Sequence, residues 1–139
     1  MKYMYKIVAF VTLLIFAEGA YSQNWVYCCA TPEQNKLYFR SDIGKESFDG
    51  SDSALKVWTK TEYKKFDFGD TSYSNAVAMV LAYLDCEAKK FSVSSMTIYD
   101  QNGNLIANQD FGKIRPNREI PPKSSQKNVM EQACKYYNK

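Results

Sequence analysis

Four cysteines carry most of the reactive chemistry in this chain: Cys28, Cys29, Cys86 and Cys134. An even set of thiols can pair oxidatively, ligate a soft metal or act as nucleophiles. Two of those uses lack partners here. The 139 residues contain no histidine, so no Ser-His or Cys-His dyad can form and no imidazole base is present near neutral pH. No two cysteines stand in a CxxC pair, the spacing typical of a structural zinc site. Oxidative pairing is the reading that survives, with three connectivities open to four cysteines.

Other groups offer less. The carboxylates Glu46, Asp49, Asp52, Glu62, Asp67 and Asp70 are scattered, mostly among turn residues. Asp49-Gly50-Ser51-Asp52 hints at a calcium loop but lacks the 12-residue ligand pattern closed by a glutamate, and reads as a solvated turn. No glycine-rich loop is built to cradle phosphate. Lys113, Arg115, Arg118, Lys123 and Lys127 form a basic cluster that could meet an acidic partner, although a solvated connection explains it as well. Aromatic residues make up 15% of the chain, and its eleven tyrosines suit a sheet core or a binding face. A non-enzymatic protein without a cofactor or metal is expected.

The N-terminus says where such a protein works. Lys2 and Lys6 precede ten residues, Ile7 to Phe16, that are apolar except for Thr12. As a helix that run reaches only about 15 Å, half of a hydrocarbon core, which is too short to span but right for a signal h-region. Ala20 and Ser22 supply the small residues needed for cleavage before Gln23. Residues 1–22 are therefore predicted to be a signal peptide and 23–139 one exported domain, the alternative being a buried first helix. Asn24-Trp25-Val26-Tyr27 before Cys28 is not a lipoprotein context, so no lipid anchor is expected and the periplasm or the medium is the predicted location. Removal of the leader lowers the net charge from +3 to +2, too little to support nucleic-acid binding. No second apolar run is long enough to span a membrane.

Period-two alternation marks the elements that must position the cysteines. Trp25–Ala30 reads as a strand ending at Thr31-Pro32. Lys36–Asp42 sets Leu37, Phe39 and Ser41 against Tyr38 and Arg40, and Ala54–Tyr63 sets Leu55, Val57, Thr59 and Thr61 against Lys56, Trp58, Lys60 and Glu62. Ser47–Ser53 and Gly69–Ser72 read as loops. Asn75–Lys90 fits a helix by composition and a buried strand by its continuous apolar run. Residues 91–111 form a predicted hairpin around Asn102-Gly103. Ile114 to Pro122, with three prolines, reads as an extended crossover. Ser124 or Ser125 then caps a helix whose stripe is Val129, Ala133 and Tyr137, with Met130 and Cys134 beside it.

Cys134 at the edge of that stripe can tie the helix to whatever the stripe covers, and Cys86, closing the apolar run, is the favoured partner. Cys28 and Cys29 compete. Adjacent strand residues point to opposite faces, so only one of these should face the core. A vicinal disulfide, a bridge from either to Cys86 or Cys134, an intermolecular bridge and a redox or metal role are all open, as is one buried thiol beside one free thiol.

The order Asp85-Cys86, Ser94-Ser95, Tyr99-Asp100, Gly103, Ile114-Arg115-Pro116 and Ala133-Cys134-Lys135-Tyr136-Tyr137 resembles the surface-adhesin protein E family. The resemblance implies an α+β fold: a curved antiparallel sheet of about six strands, with a C-terminal helix on one face held by Cys86–Cys134. It makes Asn75–Cys86 a strand. It also implies a binding domain that contacts host or envelope proteins, the alternative being a periplasmic structural or inhibitor-like protein acting on a bacterial partner. Two departures stand out. The lipobox is missing, and Gly69–Val80 has no Lys or Arg to make a basic adhesive surface.

Overall fold

The computed structural model describes residues 24–138 apart from residue 51, so the leader predicted over 1–22 lies outside the described residues. The chain runs through β1 (Trp25–Ala30), β2 (Lys36–Arg40), β3 (Gly44–Ser47), β4 (Ser53–Glu62), β5 (Lys65–Phe68) and β6 (Thr71–Ser74). It continues with β7 (Val77–Asp85), β8 (Lys90–Tyr99), β9 (Leu105–Asp110), β10 (Arg118–Glu119) and a closing helix, α1 (Ser125–Tyr137). Eight strands join one sheet along the path β1-β2-β4-β7-β8-β10, with β3 added on β4 and β9 on β8; β5 and β6 make a separate ribbon. Every pairing is antiparallel.

The expected sheet of about six strands corresponds to six lanes. Along one edge of β4, β2 pairs with Thr59–Glu62 while β3 pairs with Ser53–Lys56, so two short strands share a lane. On the far side of β8, β9 takes Ser95–Tyr99 and β10 takes Lys90–Phe91. Register shifts at Tyr27/Cys29, Leu81/Ala82 and Ile98/Tyr99 interrupt the ladders, and bulges of this kind bend and twist a sheet.

Asn75–Cys86 holds a strand, Val77–Asp85, and not a helix, as the resemblance implied. β7 lies between β4 and β8, and it is sheltered on both faces: Ala82 and Leu84 point toward α1, while Tyr83 lies beneath Phe48 on the opposite face, ring centroids 5.3 Å apart. A central strand covered on both sides needs an unbroken apolar run, which composition alone cannot distinguish from a helix.

The helix packs on one face. Leu37, Phe39, Leu55, Val57, Ala82, Leu84 and Phe91 meet Val129, Met130 and Ala133 in the core. Ser124 is the N-cap, its Oγ accepting from the Lys127 amide at 3.1 Å. Tyr137, predicted on the buried stripe, is the last residue of the helix and is exposed, so the apolar face is one turn shorter than expected. The disulfide joins Cys86 to Cys134, just past β7 and within α1, across a sequence separation of 48 residues.

Two elements depart from the expected loops. A short strand, β3, ends at Ser47 where the expected loop starts, and Gly69-Asp70 turns a small hairpin between β5 and β6, with Gly69 at φ +61°. At the 91–111 hairpin the turn is Asp100–Asn104: Gly103 alone takes a positive φ, +82°, and its amide donates to the Asp100 carbonyl at 3.0 Å. The Asp100 carboxylate accepts from the amides of Asn102 and Asn104, both at 2.9 Å, and the amide of Asn104 foremost lowers its pKa.

Closing a loop of this length removes unfolded-state entropy worth about 4 kcal/mol. The paired substitution Cys86→Ser with Cys134→Ser is expected to lower unfolding free energy by that order in non-reducing urea titrations. The denaturant midpoint should fall sharply, and the slope should rise because the unbridged unfolded chain is less compact.

Candidate protein-binding face

Register alone assigns the two faces of the sheet. Leu37, Val57, Ala82 and Phe91 face α1; the alternating set Tyr38, Lys60, Trp58 and Leu81 faces away, where no helix of the described residues lies. Opposite Tyr38 on β1 stands Tyr27, and Trp25 follows on the same side of that strand. Tyr27 is 53% exposed, and its ring meets that of Tyr38 edge to face at 5.5 Å.

A cation sits among these rings. Lys60 Nζ lies 4.5 Å from the Tyr38 centroid and 4.8 Å from that of Trp25. The ring quadrupoles attract the ammonium and hold the side chain along the sheet. On the same strand, the Glu62 carboxylate accepts the Tyr38 hydroxyl at 2.8 Å. This hydrogen bond, with lesser help from burial, pushes the Tyr38 phenol up to about 12. Trp25, Tyr27, Tyr38, Lys60 and Glu62 thus form one ordered amphipathic patch. Trp58 extends it, half-buried, at the neighbouring outward position of β4. The alternation in the sequence showed that these side chains share outward positions on their own strands. What it could not show is the register that brings three strands' worth of them together.

The rest of the outward face is closed by loops, and here the basic cluster is largely spoken for. Lys113 Nζ is 3.0 Å from Glu46 and stands 5.1 Å from the Phe48 ring. Arg115 reaches Asp52 at 2.6 Å and the Asp49 carbonyl at 3.0 Å. The turn read as merely solvated is therefore half of a latch that holds the crossover against the β3–β4 connection. Such exposed pairs are worth little singly. The Glu46 carboxyl is lowered by the Lys113 ammonium beside it. Lys127 pairs with Glu131 at 3.7 Å, while Arg118 and Lys123 are exposed. Three of the five cations are thus neutralised, and the cluster is not one basic surface. Beneath them, buried Ser92 donates to the Ile114 carbonyl at 2.5 Å.

On the helix side an apolar cleft of about 350 Å³ opens between α1 and the β5–β6 ribbon. Val80, Met96 and Ile98 floor it, Phe66 and Phe68 wall one side, and Val129 and Met130 wall the other. It can accept an apolar side chain, and Asp67 and Asp70 lie on the ribbon and its turn.

Several states were open for Cys28 and Cys29. The structure joins neither to Cys86 or Cys134; among the described residues both are free. The expectation that only one faces the core is overturned. The register shift between Tyr27 and Cys29 breaks the alternation, and both sulfurs pack against the core cluster, 2.7 Å apart.

The model of the family described as surface-adhesin protein E matches residues 22–135. The chain belongs to the surface-adhesin protein E family. No curated protein and no solved structure matches it significantly. The family assignment supports an adhesin-like surface protein, and among the described residues no helix is long and apolar enough to cross a membrane.

Tyr38 allows a direct check of the patch. Its folded pKa lies above the ordinary phenol value of 10.0, so its contribution to stability is complete below pH 10 and is lost as pH rises toward 12. Absorbance titration should show one tyrosine ionising late, and Glu62→Gln should return it toward the ordinary value.

Proposed function

We propose that residues 1–22 direct export and are removed, and that the remainder is a non-enzymatic binding domain that contacts a host or envelope protein through the helix-free face of its sheet. The observation that carries this reading is the exposed, pre-ordered aromatic patch around Lys60. Tyr and Trp dominate the energetics of protein interfaces, because they bury much area at small entropic cost. Here Tyr27 is presented on an edge strand, and its neighbours are already held by edge-to-face, cation–π and hydrogen-bond contacts. Little ordering cost is left for binding to meet.

The family to which the chain belongs supports an interaction role outside the cell, and the family match leaves residues 1–21 outside its span, in keeping with a leader there. The stretch Gly69–Val80, which has no Lys or Arg, and the pairing of Lys113 and Arg115 with acids argue for recognition by aromatic contact more than by a basic surface.

Immobilised serum and extracellular-matrix proteins should capture the wild-type protein, and Tyr27→Ala or Lys60→Ala should weaken that capture by about tenfold or more. Cell fractionation completes the test. Protein confined to the periplasm would overturn contact with host molecules and favour a bacterial envelope partner.

A further inference from the structure

We propose that Cys28 and Cys29 are a redox site: a dithiol that closes reversibly into a vicinal disulfide, with a soluble disulfide such as oxidised glutathione as the oxidant. The geometry carries this. Two neighbouring side chains on a regular strand diverge to opposite faces and cannot meet. The bulge at this point of β1 removes that obstacle, and the sulfurs come to 2.7 Å, in direct contact though not bonded. Both are half-buried, so the pair rests on the core but is not sealed from a small reagent.

The competing uses of the pair are poorer. A metal chelate would have only these two protein ligands, because no cluster of three or more Cys, His, Asp or Glu occurs among the described residues. A structural staple would close a loop across a single peptide bond, which restricts the unfolded chain far less than the bridge spanning 48 residues does. That longer bridge already holds the helix. The dithiol is therefore free to change state without releasing the fold.

The two sulfurs have different tasks. Cys28 donates its S–H to the sulfur of Cys29, and burial first, then that contact, pushes the Cys28 thiol up to about 12. Cys28 does not begin the exchange. Cys29 loses its proton to solvent and attacks one sulfur of the oxidant, forming a mixed disulfide and releasing one thiol. Cys28 then gives up its proton and displaces the second thiol from Cys29, closing the ring. Two protein thiols and one oxidant disulfide become one protein disulfide and two small thiols, so protons and electrons balance.

The test uses the full chain, expressed with its own N-terminus and purified after export, then exposed to oxidised glutathione. It is alkylated without reduction and analysed by peptide mass. The expected result is a peptide containing Cys28 and Cys29 that carries no alkyl group and is lighter by two hydrogens than its dithiol. Mild reductant should restore alkylation at both positions while Cys86–Cys134 and the far-ultraviolet circular dichroism persist. Cys28→Ser should accumulate a glutathione adduct at Cys29 at least tenfold above wild type, because the ring cannot close. Wild-type protein that remains alkylatable at both positions, keeps a stable glutathione adduct or links to a second copy would overturn the proposal. The wild-type peptide masses decide between these outcomes without any variant, so a substitution that misfolds does not affect the result. They also read a chemistry independent of any binding partner.

Discussion

Among the described residues a single helix, 13 residues long, has to shelter one face of a six-lane sheet, and much of the fold follows from that shortage. At about 1.5 Å per residue α1 is roughly 20 Å long, and only three of its side chains are fully buried, Val129, Met130 and Ala133. So small a contact cannot by itself hold the helix against the entropy of freeing it. Cys134 supplies the remaining restraint by bonding to Cys86 just past the most buried strand. The half of the face that α1 does not reach is met by the β5–β6 ribbon, with Phe66 and Phe68 turned to the cleft between them.

Among the described residues no helix covers the opposite face, which is finished by different means. At one end Phe48 and the crossover cover Tyr83 and Ser92, pinned by Lys113 and Arg115 to acids of the β3–β4 region. At the other end the aromatic patch stays open to solvent. A sheet that covered both faces would need a second helix; this one leaves large aromatic side chains where a partner can reach them. The same economy that makes the disulfide necessary therefore creates the binding surface.

Much of this was legible in the sequence wherever a segment was long and its alternation regular. β1, β2, β4, the β8–β9 hairpin and α1 with its serine cap all announce themselves through period and turn chemistry. The faces of Lys36–Asp42 and Ala54–Tyr63 were readable before any pairing was known. Asn75–Lys90 was not, because a doubly covered strand has no polar face to betray its period; only the likeness to a family settled it. The four-residue strands β3, β5 and β6 were missed because Gly44–Ser47 and Thr71–Ser74 carry mostly polar residues and gain their structure from neighbours. The Arg115–Asp52 latch joins residues 63 apart and has no local signature. The grouping of Cys28 with Cys29 depends on a bulge, and nothing in a string of letters marks where a ladder slips.

That bulge has a second effect, on the outline of the sheet. β1 is an outermost strand, and a long straight edge offers unpaired amides and carbonyls on which another chain can crystallise strand by strand. β1 is only six residues long, and its ladder is offset in the middle, so the hydrogen-bonding groups along its rim fall out of step with any regular strand laid beside it. The irregularity that gathers two thiols thus also makes this rim a poor template, and helps a protein that shows aromatic rings to its surroundings avoid stacking with its own kind.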